Sequence, residues 1–376
     1  MNEEIAARSS GNLFELLEAD AARCPAKNPA EALRWAFGRI SGSQLQFSPT
    51  LMKDLSSRSL GLFTRAVWRH QAQDGDGHIL SLVEKVLHAS PSPHVSLPGW
   101  IAWYREAGVY TDADFMASHG LRLPRIYGMW MPSRDLIHIY MEDLHTRCRH
   151  PTAPNYPHVA EQLGEFGGWA SARNLWRKPW LAGTETFIKP PADPGRIERG
   201  FNSIFTDDSA RKLARSQIED FVAYHSLNES KPRALGPATV AHGDIHLNNL
   251  FVDSTTGEAV AIDWLRVQIG RFGEDLANMM RLWPRIAKGT MSVEEYINMD
   301  AQVLAAYVKG AQKVVDIAEK TIQRNYAFRL AIYLLRDIVD PRSRFMLTVS
   351  DNTRAGIQKF VSLIARRLHE LMDIPA

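Results

Sequence analysis

Residues 240–264, VAHGDIHLNNLFVDSTTGEAVAIDW, constrain what this chain can fold into more than any other stretch. They read as strand, polar loop, strand, turn and strand. Leu250, Phe251 and Val252 form a short apolar run, Thr255, Thr256 and Gly257 a turn, and Ala259 to Ile262 a second run. The polar side chains that carry chemistry sit in the loop and at the run ends: Asp244, then Asn249, then Asp263 closing the second strand. That spacing suits phosphoryl transfer. A loop carboxylate, Asp244, orients a substrate hydroxyl and accepts its proton, while a carboxamide (Asn249) and a second carboxylate (Asp263) hold Mg²⁺ on a nucleotide's phosphates. His242, Asp244 and His246 also alternate as HxDxH, a pattern open to a metallohydrolase holding Zn²⁺ or Mn²⁺. Such a site needs further ligand clusters downstream, and after Asp263 the sequence offers only His369. A plain polar turn leaves the density of Asp, Asn and His unexplained.

The pattern H-G-D-x-H-x-x-N followed by I-D-W resembles the aminoglycoside phosphotransferase and choline kinase-like superfamily, with the look of its ecdysteroid-kinase-like branch. The resemblance implies an α+β, two-lobed protein-kinase-like fold, with a small antiparallel-sheet lobe, a mainly helical large lobe, and ATP in the cleft. GTP is the alternative nucleotide and Mg²⁺ the metal. It further implies that His242 and His246 brace the loop. Asp275, at an apolar helix start in GRFGEDLANMM, hydrogen-bonds the loop backbone; a simple helix cap is its plainer reading.

Composition narrows the class. A chain of 376 residues with 45% hydrophobic and 23% charged residues and a net charge of +2 is an ordinary globular protein large enough for two lobes. No apolar run is long enough to span a bilayer, the acidic N-terminus lacks a signal peptide's apolar centre, and no single-sign charge block suggests nucleic acid. Cys24 and Cys148 fall in no paired motif and read as reduced thiols of a cytoplasmic protein. Monomer and homodimer are both open.

Taken in order, residues 1 to about 40 read as helix, an N-terminal extension. From Leu51 to Leu87 the chain suits an antiparallel sheet. Its Ser56–Ser59 loop offers backbone N–H groups to phosphates, which makes Ser57 and Ser59 nucleotide-contact candidates against a plain hairpin turn. The strand HILSLVEKVLH carries Lys85 among apolar neighbours, where an ammonium is costly without a partner. Glu84 alternates to the opposite strand face. Trp103, Glu106, Ala107 and Tyr110 share one helical face, so Glu106 points inward. By the resemblance, Lys85 holds the α- and β-phosphates and pairs with Glu106. Residues 126–141 read as a hairpin ending in MEDL, which resembles the family's adenine-binding hinge and singles out Glu142 and Leu144. The Pro-rich RCRHPTAPNYPH reads as a linker, giving residues 1–144 as the extension, nucleotide-binding lobe and hinge, and 145–376 as the catalytic and acceptor-binding lobe.

The acceptor expected is a hydroxyl on a small molecule, because nothing between Asp263 and Asp275 resembles a protein kinase's activation segment. Residues 281–376 hold 15 Lys and Arg against 10 Asp and Glu, a poor surface for a polycation. Trp169, Trp176, Trp180 and Trp264 are candidates for an aromatic acceptor pocket, against plain core packing. The expectation is therefore a neutral or weakly anionic alcohol, such as a secondary metabolite or nucleoside-like compound. The alternatives are an aminoglycoside, choline or sugar kinase, and a catalytically silent kinase-like binding protein.

Overall fold

The computed structural model describes residues 24–42, 48–55, 63–89, 104–133, 135–181, 194–229, 236–337 and 351–372. The first half of the expected N-terminal helix, the Ser57 and Ser59 loop and Trp103 lie outside the described residues. In chain order the elements begin with α1 (Pro29–Ser41), β1 (Ser48–Asp54), β2 (Thr64–Gln73), β3 (Ile79–His88), α2 (Arg105–Thr111) and α3 (Ala113–Met116). Strands β4 (Leu121–Arg122), β5 (Ile126–Ser133), β6 (Leu136–Glu142) and β7 (Cys148–Arg149) follow. Then come α4 (Tyr156–Ala172), α5 (Pro194–Ile204), α6 (Asp208–Glu229), β8 (Ala238–Ala241), β9 (Leu250–Asp253), β10 (Ala259–Ala261) and β11 (Gln268–Arg271). The chain ends with α7 (Glu274–Met279), α8 (Trp283–Ala287), α9 (Val293–Gln312), α10 (Glu319–Asp337) and α11 (Asp351–Met372). They fall into two compact units, each discontinuous in sequence: residues 1–150, 177–183 and 249–267, and residues 151–176, 184–248 and 268–376.

The first unit is built on an antiparallel sheet of order β1-β2-β3-β6-β5. Helix α1 starts where Asn28 accepts a hydrogen bond from the Glu31 N–H at 3.0 Å and Pro29 presets the first turn. It buries Ala32, Ala36 and Phe37 with Leu82, Trp130 and Tyr140 of the sheet. In β3, Lys85 stands opposite Val67 of β2 and Ile139 of β6, at the centre of the sheet. A smaller sheet of order β4-β10-β9-β7 carries the hairpin whose ends supply Asn249 and Asp263. The segment expected as a linker is partly strand, since Cys148 pairs with Asp253 and Arg147 Nη2 lies 2.9 Å from the Asp253 carboxylate. Its prolines fall just beyond the pairing, where no ladder N–H is needed.

The second unit is mainly helical around the ribbon of β8 and β11. Helices α4 and α9 approach so closely that side chains do not fit between them. A Cβ on Gly164 would lie 2.1 Å from the Tyr307 carbonyl oxygen, and one on Gly310 would lie 1.9 Å from that of Glu161. Helix α11 buries Ile357, Phe360, Val361, Ile364 and Leu368, the apolar stripe of its sequence. Among the described residues no helix is long and apolar enough to cross a membrane.

Candidate active site

In the first unit three charged side chains meet. Lys85 Nζ lies 2.6 Å from Glu106 Oε2 and 2.6 Å from Asp263 Oδ1. Period-two alternation brings Lys85 to this face, and the first turn of α2 brings Glu106, whose Oε1 accepts from the Tyr110 hydroxyl at 3.2 Å. Burial works against the Lys85 charge, but the Asp263 and Glu106 carboxylates outweigh it and hold the ammonium's pKa above the usual lysine value. Burial pushes the Glu106 carboxyl up, and Lys85 only partly pulls it back.

Asp263 has φ 65° and ψ 58°, a left-handed conformation that few non-glycine residues adopt but that aspartate tolerates better than most. The backbone therefore turns sharply out of β10, and the carboxylate keeps 37% of its surface exposed. The Ile262 N–H donates to the Asn249 carbonyl at 3.0 Å, so the residue before Asp263 is tied to Asn249. One carboxamide and one carboxylate are hard oxygen donors. With two carboxylates against one ammonium in the Lys85 group, they fit a divalent cation such as Mg²⁺.

The opposite face of the sheet holds Glu84. Its oxygens lie 2.7 Å from His70 Nε2 and 2.7 Å from His138 Nδ1. Burial alone would raise its pKa, but the hydrogen bonds from His138 and His70 prevail and bring it to about 2. At the hinge candidate, Glu142 is held by Arg122 Nη1 at 2.6 Å and by the Arg125 N–H at 3.1 Å. Burial opposes its charge, and the Arg122 hydrogen bond more than compensates, so its pKa is lowered. Asp143 accepts from Ser81 Oγ at 2.7 Å and pins the strand exit. Leu144 packs its side chain with Cys148, Phe251 and Val260, leaving its backbone as what it can present to a ligand.

In the second unit the loop after β8 is held from below. Asp275 Oδ2 accepts from the His242 N–H at 2.7 Å, and its Oδ1 accepts from the Gly243 N–H at 3.0 Å. Gly243 has φ 78°, the left-handed turn that lets two successive N–H groups point at one carboxylate. Fully buried His242 accepts the Asp244 N–H on Nδ1 at 3.3 Å, and His246 Nδ1 accepts the Asn248 N–H at 3.2 Å. These bonds hold Asp244 in a half-buried position. Burial raises the Asp275 pKa to about 6 despite the two backbone donors. Beside it, Arg329 Nη2 lies 2.7 Å from Glu274 Oε2, and both side chains are buried.

For three of the four tryptophans the acceptor-pocket expectation requires correction, because protein buries them. Trp264 has no exposed surface, packs edge-on to Phe115 with centroids 6.3 Å apart, and donates its Nε1–H to the Ala261 carbonyl at 3.1 Å. Trp180 is buried against the same Phe115, at 5.4 Å. Both fill the core of the first unit, because large aromatic area favours burial once an N–H partner is supplied. Trp169 is buried in the second unit beneath the Arg173 guanidinium, and Trp176 is half-buried. The reading of HxDxH as a metal cluster finds no support either: among the described residues, the group of three metal-capable side chains within reach of one another is Asp74, Asp76 and His78.

Sequence reasoning missed the two histidines on Glu84 and the side chains of Asn278 and Arg281, which share a hydrogen bond at 3.2 Å. The strand positions of His70, Glu84 and His138 among apolar residues were the available signal for the first, and the three-residue spacing of Asn278 at the end of α7 and Arg281 in the turn after it for the second.

No curated protein matches the chain. Among solved structures it is similar to an amicoumacin kinase in complex with AMP-PNP and Ca²⁺, at 12% identity and TM-score 0.47 over 87% of this chain and 93% of that one. A microcompartment-associated aminopropanol kinase gives 15% and 0.48 over 88% and 95%. A choline/ethanolamine kinase family protein from Mesorhizobium loti gives 12% and 0.39 over 98% and 96%. The model of the phosphotransferase enzyme family matches residues 113–311, which contain Asp244, Asn249, Asp263 and Asp275. The chain belongs to that phosphotransferase family.

Proposed function

We propose that the enzyme moves the γ-phosphoryl group of ATP, with Mg²⁺, to a hydroxyl of a small neutral or weakly anionic molecule. The observation that carries this reading is the meeting of Lys85, Glu106 and Asp263, with Asn249 tied to the turn before Asp263. Asn249 and Asp263 would hold the cation, which neutralises phosphate charge as it builds. Lys85, kept charged by Glu106, would bind the α- and β-phosphates, and the backbone at Glu142 and Leu144 would meet the base. Asp244 takes the proton of the acceptor hydroxyl as its oxygen attacks the γ-phosphorus. The bond from that phosphorus to the β-phosphate's bridging oxygen breaks, and ADP leaves. Asp275 keeps the loop in register through the His242 and Gly243 N–H groups. Such a reaction depends chiefly on positioning and charge, which these contacts supply. We assign nucleotide binding to residues 1–144 and acceptor binding to 145–376, and a cytoplasmic setting on the two buried free cysteines, Cys24 and Cys148.

The test is ADP release by the purified protein with Mg-ATP across a panel of hydroxyl compounds, repeated with Asp244→Asn. Acceptor-dependent release that the variant loses supports the reading. Release equal in both proteins would count against it.

A further inference from the structure

Asp263 is held in its left-handed turn by more than the hairpin that delivers it. Strand β10 stops at Ala261, so the N–H groups that follow leave the ladder and need partners elsewhere. The Ile262 N–H goes to the Asn249 carbonyl at 3.0 Å. The Asp263 N–H goes to a side chain: it donates to the hydroxyl oxygen of Tyr110.

That hydroxyl closes a ring of contacts. Tyr110 stands four residues after Glu106 on the same face of α2, is 2% exposed, and donates its O–H to Glu106 Oε1 at 3.2 Å. The other Glu106 oxygen lies 2.6 Å from Lys85 Nζ, which in turn lies 2.6 Å from Asp263 Oδ1. All four residues belong to the first unit. The direction of each bond follows from the groups themselves. A backbone N–H can only donate, so the Tyr110 oxygen accepts there and gives its one proton to Glu106. Both Glu106 oxygens then face donors, which favours its carboxylate form beside Lys85.

Asp263 is therefore gripped twice from one helix. Tyr110 takes its backbone, and Glu106 takes its carboxylate through Lys85. A left-handed aspartate is a sparsely populated conformation that persists only where its surroundings enforce it.

We propose that Tyr110 is a positioning residue, whose hydroxyl holds the Asp263 backbone in the left-handed turn and so aims the carboxylate at the divalent cation. The role at the cation rests on the phosphotransferase reading; the grip on the Asp263 amide can be measured without it.

The sequence supplies the probe. Ile262–Asp263 is its only Ile-Asp pair. Full-length protein labelled at isoleucine carbonyl carbons and aspartate nitrogens therefore gives one carbonyl-correlated amide signal in NMR, that of Asp263. In the wild type this amide should exchange with solvent at least about 100-fold more slowly than an unbonded one. Tyr110→Phe, which removes the hydroxyl alone, should move the signal and speed its exchange by about tenfold or more. It should also raise the Mg²⁺ concentration for half-maximal nucleotide binding about tenfold, while affinity without Mg²⁺ stays within about twofold, since the carboxylate acts on the cation. Phe37→Leu, in the core beneath α1, controls for lost stability alone: it should lower the melting temperature and leave the Asp263 signal and the Mg²⁺ midpoint in place. A folded Tyr110→Phe protein with an unchanged amide signal or an unchanged Mg²⁺ midpoint would overturn the proposal. Should that variant not fold, the wild type decides, because an Asp263 amide that exchanges as fast as an unbonded one overturns it equally. A wild type that binds no nucleotide with Mg²⁺ overturns the phosphotransferase reading instead, and the amide signal still judges the grip of Tyr110.

Discussion

Lys85 Nζ lies 2.6 Å from Asp263 Oδ1 and equally close to Glu106, so one ammonium bridges two carboxylates that arrive from a helix and from the end of a strand. Glu106 is 1% exposed and Asp263 37%, which makes the pair unequal. The buried carboxylate depends on the lysine for compensation, while the exposed one can turn to another cation.

Replacing the lysine separates these roles. Lys85→Met should destabilise the fold by roughly 3–5 kcal/mol, because Glu106 is left buried beside no cation. It should also lower kcat/KM by about 100-fold or more through lost phosphate positioning. Denaturant titration reads the first effect and steady-state kinetics the second. Adding Glu106→Gln should recover part of the stability and none of the activity; full recovery of both would show that Lys85 serves structure alone.

Asp263 carries two demands, a charge and a left-handed backbone. Asp263→Asn keeps a residue type that tolerates this conformation, so stability should hold while Mg²⁺-dependent nucleotide affinity falls. Asp263→Ala should lose the same affinity and about 1 kcal/mol more stability. Thermal unfolding and nucleotide titration with and without Mg²⁺ distinguish them. Unchanged Mg²⁺ dependence in both variants would remove Asp263 from the metal site.

With the role proposed for Asp244 at the acceptor hydroxyl, Asp244→Asn should lower kcat by about two to four orders of magnitude and leave Mg-ATP binding intact. Its half-buried place in a loop braced by His242 and Asp275 means that the fold should not notice the change. Single-turnover kinetics and nucleotide titration check the two halves.

Asp275 gives a pH signature. Its carboxyl titrates at about 6 in the fold against a usual value of 3.8, raised by burial. A raised carboxyl pKa makes its stability contribution fully present below the ordinary value and lost as pH rises through 6. Two pKa units correspond to about 3 kcal/mol. Relative to Asp275→Asn, the wild type should therefore lose that much stability between pH 4 and pH 7. Activity should move oppositely, rising through pH 6 as the carboxylate forms and grips the His242 and Gly243 N–H groups. Melting curves and rate profiles of both proteins across that range test it, and a parallel pH dependence in the two would refute it.

The Lys85–Glu106 contact was legible because the family resemblance implies a strand lysine paired with a helix glutamate, and period two, which sends Glu84 to the other sheet face, together with the helical spacing that turns Glu106 inward, singled out these two residues. The turn-and-strand frame around Asp244, Asn249 and Asp263 was legible for the same reason: apolar runs bounded by Gly, Thr and Asp leave few alternatives. The tryptophans were not. Ring content says that area will be buried, but not whether protein or ligand covers it, and Phe115 covers Trp180 and Trp264. Nor could sequence show that the buried Asn278 Nδ2 lacks a hydrogen-bond partner among the described residues, because an unmet hydrogen bond is a property of everything around it. The strand at Cys148 was masked by its prolines, which lie outside the two residues that pair.

The close meeting of α4 and α9 has a consequence for how this sequence can drift. At Gly164 and Gly310 a single methyl group would collide with a neighbouring backbone carbonyl rather than with a side chain that can move aside. Substitution of either glycine therefore demands a shift of a whole helix, and no compensating change at one facing position can absorb it. Relatives that keep this helix spacing should retain both glycines together, whatever acceptor they have come to use. Loss of one in an otherwise similar chain marks a lineage whose second unit has been repacked.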